Sequence, residues 1–217
     1  MNRFLADYCI NSQEVYQLNN RLGIGKNVSD VFYVFFKRAI DMFFSILVLV
    51  LFSPLFVIIS ILIVLTSSGP AIIKQRRVGM NGKIFNLYKF RSMKGKVGYA
   101  YSPTTDNDDR ITKVGRFLRK TGIDEIPQFI NVLKSEMSIV GPRPEMEFIV
   151  EKYNALERTR LSVKPGITGL WQIKANRKKL IHENLDFDLS YIKNKSLYLD
   201  IAIMLETALF MIRSVNK

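Results

Sequence analysis

Two adjacent carboxylates, Asp124 and Glu125, follow three cations, Arg116, Arg119 and Lys120, and lead into Ile126, Phe129, Ile130 and Leu133. Those apolar residues recur at helical spacing, so the segment reads as an amphipathic helix. Pro127 is acceptable only in a first turn, where N–H groups have no internal partner, and this places the helix start at about Asp124. A helix N-terminus presents free N–H groups and a partial positive charge, a seat for phosphate. Two readings of the pair stand side by side. In one, Asp124 is an N-cap and Glu125 a favourable first-turn charge. In the other, the helix terminus and the nearby cations hold Asp124 ionised as a nucleophile, and Glu125 carries a magnesium ion that neutralises phosphate oxygens.

Gly141-Pro142-Arg143-Pro144 is a second element with chemical content. The two prolines restrict the backbone on either side of Arg143, which presents a guanidinium suited to bidentate phosphate binding. A proline-rich turn after a strand, Met137 to Val140, is the plainer alternative. Lys164-Pro165-Gly166-Ile167-Thr168-Gly169 forms a third loop whose glycines allow close backbone approach to a ligand. Leu170 to Ile173 then reads as a short strand, with Trp171 in the core.

Composition narrows the chemistry. The chain carries 32 Lys+Arg against 19 Asp+Glu, a formal net charge of +13, and such a surface favours anionic partners. A lone cysteine, Cys9, rules out an intrachain disulfide and a thiolate metal cluster. The single histidine, His182, lies in the polar stretch Lys178 to Asp186 and reads as a surface residue. That excludes a histidine-rich zinc site.

The elements that must position these residues begin with an uncharged run from Met42 to Leu65, about 24 residues and in the membrane-spanning range. Ser53-Pro54 interrupts it, and proline removes a backbone hydrogen bond, so a kink is expected there. Unbroken, the run would reach roughly 36 Å, enough for a hydrocarbon layer of ~30 Å, whereas each half reaches about 18 Å. A kinked spanning helix and a re-entrant hairpin both remain open on this ground. Lys37 and Arg38 before the run, and Lys74, Arg76 and Arg77 after it, suit a hairpin with both ends on the cytoplasmic side. Asp41, one turn beyond Lys37 and Arg38, can be neutralised by them.

The remainder is mixed. Ala71 to Lys74 and Ile84 to Phe90 read as strands around an Asn81-Gly82 turn, and residues 94–110 as an exposed loop. Helical patterns occupy Lys113 to Lys120, Ile126 to Lys134, Glu145 to Leu161 and Asp200 to Ile212. The expected fold is α+β and mostly helical. Its parts are an N-terminal cytoplasmic extension (1–36), a membrane helix segment broken at Ser53-Pro54 (37–66) and a compact domain (67–217).

Four ordered stretches, KFRSM (89–93), DDRITKVGRFLRKTGIDEIPQFINVLKSEMSIVGPRP (108–144), VKPGITGLWQI (163–173) and FDLSYIKNKSLYLDI (187–201), together with the Ser-Pro break, resemble the bacterial sugar transferases. These are monotopic phosphoglycosyl transferases that initiate lipid-linked glycan synthesis. The resemblance makes 37–66 a re-entrant hairpin and 67–217 a catalytic domain at the membrane surface. It favours a small form with the catalytic domain alone, in the bacterial inner membrane with that domain on the cytoplasmic face. It implies transfer of a sugar-1-phosphate from a nucleotide sugar, usually a uridine one, to polyprenyl (undecaprenyl) phosphate with Mg²⁺. Asp124 would be the nucleophile that forms a phosphosugar-aspartate, and Glu125 the metal ligand. Lys89, Arg119 and Arg143 would stand near the phosphates, and Arg91 is a further phosphate-binding candidate. Asp188 and Lys164 are candidates for the site or its surroundings. Where the family usually has Ser, two residues before the nucleophile, this chain has Gly122.

The expected partners are the nucleotide sugar, the polyprenyl phosphate and membrane lipid, with a homodimer left open and nucleic acid not expected. Three other readings compete. A non-catalytic membrane-tethered protein binding acidic lipid or nucleic acid would explain the charge, but the basic residues lack aromatic interleaving. A membrane phosphatase would use Asp124 with water as acceptor. A glycosyltransferase would move the sugar without its phosphate.

Overall fold

The computed structural model describes residues 28–94, 108–174 and 185–215. His182 and most of the 94–110 loop lie outside the described residues. Two helices open the described chain, α1 (Val28–Leu51) and α2 (Ser53–Thr66), and the pair is bent by 61° at the break. No single helix is long and apolar enough to cross a membrane, whereas the bent pair passes by length and composition together. Pro54 has no N–H to give to the Val50 carbonyl one turn back. The Ser53 hydroxyl donates to that carbonyl instead, at 2.8 Å. The expectation that Ser53 serves the carbonyl freed by Pro54 is met. Exposed Phe43, Leu47, Val50, Val57, Ile61 and Leu65 leave much of the pair's surface apolar.

One face of α1 is polar and belongs to the globular part. Tyr33, Lys37 and Asp41 are spaced by four residues and stack along that face. Tyr33 and Lys37 both donate to Asp200 Oδ2 at 2.9 Å, and the Asp41 Oδ1 accepts the Ile139 N–H at 3.0 Å. Arg38 donates to the Val132 and Leu133 carbonyls at 2.6 and 2.9 Å. The hydrogen bonds of Asp41 and Lys37 therefore go across to the neighbouring elements rather than to each other, because both side chains face the packed interior. α1 passes through residues 36 and 37 without interruption.

β1 (Ile72–Val78) and β2 (Ile84–Phe90) form an antiparallel hairpin, in register from Ile72 opposite Phe90 to Val78 opposite Ile84. Its turn is a 3₁₀ loop over Met80–Gly82, with Asn81 at φ 56°, a left-handed conformation that Asn tolerates. α3 (Lys113–Thr121) is capped by Thr112, whose side chain accepts from the Gly115 N–H at 2.8 Å. It ends at Gly122 with φ 71°, and a Cβ there would approach Met211 Cε to 2.7 Å. A side chain at this position would be strained.

α4 (Gln128–Leu133) leads to β3 (Ser138–Val140), which pairs in parallel with β4 (Gly166–Thr168). A Cβ on Gly166 would collide with the backbone of Gly141, so this glycine admits a neighbouring chain rather than a ligand. The helix expected from Glu145 to Leu161 is broken into α5 (Glu147–Val150), α6 (Ala155–Arg158) and a 3₁₀ turn over Thr159–Ser162. Asn154 causes the restart: it accepts from the Glu157 N–H at 2.9 Å while Glu157 accepts the Asn154 N–H at 2.7 Å, a capping box. Leu170 to Ile173, expected as a strand, lies in a helix, α7 (Leu170–Lys174). The preceding residues Gly166–Thr168 already pair with β3, and Gly169 turns the chain by accepting the Gln172 N–H at 3.0 Å. α8 (Leu185–Asn194) and α9 (Leu197–Val215) complete the described chain.

The main core joins Phe85 and Leu87 of β2 to Val132, Met137, Ile139, Tyr191 and Ile203. A second cluster, Ile59, Ile63, Phe90 and Leu118, fastens α2 to the end of β2 and to α3. Phe56 and Phe90 rings lie 4.6 Å apart in it. Each fully buried side chain of this kind contributes about 1.5–3 kcal/mol. The bent pair is thus packed onto the two elements that carry Lys89 and Arg119. The α+β, mostly helical class expected from the sequence is the one observed.

Candidate active site

Asp124 lies in a three-residue 3₁₀ turn, Ile123–Glu125, one step before α4 rather than at its start. Pro127 explains the difference. Lacking an N–H, it cannot bond the Ile123 carbonyl in α-helical register, and that carbonyl accepts from the Ile126 N–H at 3.1 Å instead. Asp124 does not cap α4, whose N-cap is Pro127. With α4 only six residues long, the charges around Asp124 come from side chains and not from a helix terminus.

Those side chains are Lys89 and Arg119. The Lys89 ammonium is 2.7 Å from Asp124 Oδ2 and 3.8 Å from Glu125 Oε1. Oδ2 has a close charge contact but no hydrogen bond of good angle, and Asp124 is only 2% exposed. Burial pushes the Asp124 carboxyl above its ordinary value and Glu125 adds to the rise, while Lys89 and Arg119 pull it back. Desolvation is the largest influence on the carboxyl of the free site, and the cations Lys89 and Arg119 oppose it.

Arg143 Nη2 donates to Glu125 Oε1 at 2.8 Å, so the proline-flanked arginine meets the acidic pair. Glu125 in turn keeps the Arg143 guanidinium firmly protonated. Lys89 from β2 and Arg143 from the loop after β3 contact the Asp124–Glu125 pair, and Arg119 of α3 acts on Asp124 through its charge. Lys89 is held by a stitch between elements. The Asn131 side chain accepts from the Tyr88 N–H at 3.0 Å and donates to the Asn86 carbonyl at 2.7 Å, binding α4 to β2.

Three candidates stand elsewhere. Arg91 is 3% exposed and donates to the Ser67 carbonyl at 2.7 Å, at the end of α2. Lys164 is lowered by burial and by Arg38 and Lys37, against Asp41, which places it beside α1. Asp188 accepts from Arg160 Nε at 2.7 Å in a buried ion pair, a supporting contact behind the site. Burial pushes the Asp188 carboxyl up and Arg160 pulls it down.

Arg160 is the residue that sequence reasoning missed. It is 4% exposed, pairs with Glu145 at 3.2 Å and Asp188 at 2.7 Å, and hydrogen-bonds the Tyr153 hydroxyl. Its Nη2 also donates to the Arg143 carbonyl at 3.0 Å. In the sequence it lies in an ordinary basic stretch, Arg158-Thr159-Arg160, and no local signal separates it from a surface arginine. Asn131 was legible only as a polar member of an amphipathic helix.

Among the described residues no group of three or more His, Cys, Asp or Glu forms a ready-made metal cage. The donor set is the Asp124–Glu125 pair. Two hard oxygen donors fit Mg²⁺, which is characteristically held by one or two carboxylates with substrate phosphates and water.

The α+β fold, packed against a bent apolar helix pair, sets a buried carboxylate against a lysine and a proline-flanked arginine. The chain belongs to the bacterial sugar transferase family, whose model matches residues 32–214. It is 43% identical over 180 residues to the UDP-glucose:undecaprenyl-phosphate glucose-1-phosphate transferase of Escherichia coli (strain K12), covering 79% of this chain and 39% of that protein. It is 38% identical over 218 residues to the undecaprenyl-phosphate galactose phosphotransferase of Salmonella typhimurium, covering 93% of this chain and 45% of that protein. The exopolysaccharide production protein ExoY of Rhizobium meliloti is 36% identical over 187 residues, covering 79% of this chain and 83% of that protein. The chain spans less than half the length of the first two.

Proposed function

We propose that this protein transfers a sugar-1-phosphate from a UDP-sugar to polyprenyl phosphate at the cytoplasmic face of the inner membrane, initiating a lipid-linked polysaccharide. The observation that carries the reading is the buried Asp124 carboxylate held 2.7 Å from the Lys89 ammonium, beside Glu125 and Arg143. The relatives from Escherichia coli and Salmonella typhimurium, named as sugar-phosphate transferases acting on undecaprenyl phosphate, support the same class.

In the proposed reaction an Asp124 carboxylate oxygen attacks the β-phosphorus of the donor. A new O–P bond forms, the bond from that phosphorus to the bridging oxygen breaks, and UMP leaves. An oxygen of the lipid phosphate then attacks the same phosphorus, the Asp124 O–P bond breaks, and the lipid diphosphosugar is released with Asp124 regenerated. Lys89, Arg119 and Arg143 would orient the donor phosphates and offset the charge that gathers on them. Lys89 would exchange its contact with Asp124 for one to the substrate, freeing the carboxylate to attack. Mg²⁺, held by Glu125 with Asp124 beside it, would supply further charge neutralisation on phosphate oxygens. The bent helix pair, seated as a re-entrant hairpin, would bring this site to the depth of the lipid phosphate.

The test is product mass. Purified protein incubated with undecaprenyl phosphate and a panel of nucleotide sugars should yield a lipid diphosphosugar and UMP. A lipid monophosphosugar with UDP, or free phosphate or sugar phosphate without lipid product, would overturn the reading in favour of a glycosyltransferase or a hydrolase.

A further inference from the structure

Arg91 follows β2 directly, and its backbone N–H bonds the Ala71 carbonyl at 2.8 Å. One guanidinium nitrogen, Nη2, donates to the Ser67 carbonyl at 2.7 Å. The other two, Nε and Nη1, are buried and have no hydrogen-bond partner. None of the ion pairs among the described residues includes Arg91. A guanidinium does not give up its proton in a protein, so the charge stays and its burial is unfavourable until an anion meets it. Planar, fork-shaped donors of this kind match the oxygens of a phosphate.

The surroundings say what carries that phosphate. Arg91 lines an open groove of about 1120 Å³ together with Thr66, Ser67, Gly69, Lys74 and Lys94. Its charged lining among the described residues is entirely positive. The groove begins where the apolar arm α2 ends, and the exposed Ile61, Leu62 and Leu65 of that arm lead to its edge. Gly69, at φ 111°, lies so close to Arg91 Nη1 that a Cβ would collide with it, so only backbone covers the guanidinium on that side. One wall suits a hydrocarbon tail and the other a phosphate.

We propose that this groove is the docking site for the acceptor, the phosphate monoester of a long-chain lipid, distinct from the Lys89–Arg143 cluster that takes the donor. The lipid's identity rests on the transferase reading. The Lys74 and Lys94 ammonium groups, exposed on the rim, draw the phosphate in, and Arg91 completes the contact.

The experiment places the full chain in phosphatidylcholine nanodiscs without donor or metal and follows its melting temperature. Nanodiscs doped with undecaprenyl phosphate, nanodiscs doped with phosphatidylglycerol, and undoped nanodiscs with added inorganic phosphate are compared. Undecaprenyl phosphate is expected to raise the melting temperature, and the rise is expected to vanish in Arg91→Gln and to shrink in the Lys74→Gln/Lys94→Gln double variant. With donor present, the double variant should show a KM for the lipid about tenfold higher, the combined loss of two exposed charges, with donor KM and burst release of UMP unchanged. An undiminished rise in both variants overturns the proposal. An equal rise with inorganic phosphate or with phosphatidylglycerol overturns the acceptor assignment, showing a free-phosphate or general headgroup site. If Arg91→Gln does not fold, the exposed double variant decides alone. Lipid stabilisation without any transfer would remove the transferase reading and leave the groove standing, whereas transfer with a wild-type lipid KM in the double variant would remove the groove alone.

Discussion

Arg160 holds Arg143 by its backbone: the Nη2 of one donates to the carbonyl of the other at 3.0 Å. Arg143 reaches Glu125 from a loop between two prolines, and the residue behind it is anchored in turn by Asp188 and Glu145. The proline-flanked arginine is therefore presented by a buried cation and two buried carboxylates as well as by its own ring neighbours.

Arg160→Met leaves Asp188 and Glu145 buried without their cation. Breaking a buried ion pair from one side costs about 3–5 kcal/mol, and the denaturant midpoint should fall accordingly. A midpoint within error of the parent protein would deny Arg160 its anchoring role.

Asp124→Asn should abolish turnover while membrane association persists, because the amide neither attacks phosphorus nor leaves as a carboxylate. Radiolabelled donor should mark the parent protein covalently and leave this variant unmarked. Substantial activity in pure Asp124→Asn protein would remove Asp124 from the nucleophile role.

The same carboxyl predicts a pH dependence of stability in the metal-free protein. Its folded pKa is raised above the ordinary 3.8 by burial, so between those two values the folded chain binds more protons than the unfolded one. Stability then falls as pH rises across that window. Melting curves taken with chelator should show Asp124→Asn gaining on the parent protein as pH climbs through it. A constant difference would mean that burial does not control the group.

Arg143→Lys keeps the charge and loses the fork. Removing an aimed donor at a site of developing charge lowers kcat by about 10²–10³-fold, and steady-state rates at saturating donor and lipid measure it. Near-parent kcat would mean that Arg143 contributes only a diffuse positive field.

Pro54→Ala restores an N–H that can bond the Val50 carbonyl, now served by Ser53. The bend should open and the pair should move toward a full span, shifting residues 1–36 to the other side of the membrane. Labelling of Cys9 from each side reads the change, and unaltered labelling of the correctly inserted variant would leave the bend to some other cause.

Much of this protein was legible as a string. Pro54 and Ser53 marked the break because a missing N–H is a local property, and the β1–β2 hairpin followed from alternation around Asn81-Gly82. Arg143 stood out because a proline flanks it on each side, and Asp124 and Glu125 because Pro127 marks a first turn just after them. Capping went less well: the Asn154–Glu157 box was present in the sequence, yet the longer apolar rhythm concealed the helix break it creates.

Tertiary structure decided what those residues meet. The 3₁₀ turn at Asp124 replaced a helix terminus with the Lys89 ammonium, 35 residues away in sequence, and only packing of β2 on α4 through Asn131 brings that about. Burial, which raises Asp124 and turns Arg160 into an anchor and Arg91 into a cation in want of an anion, depends on which chain segments lie across from each residue. Local backbone chemistry is written residue by residue, whereas solvent exclusion and charge pairing exist only once distant segments share a space.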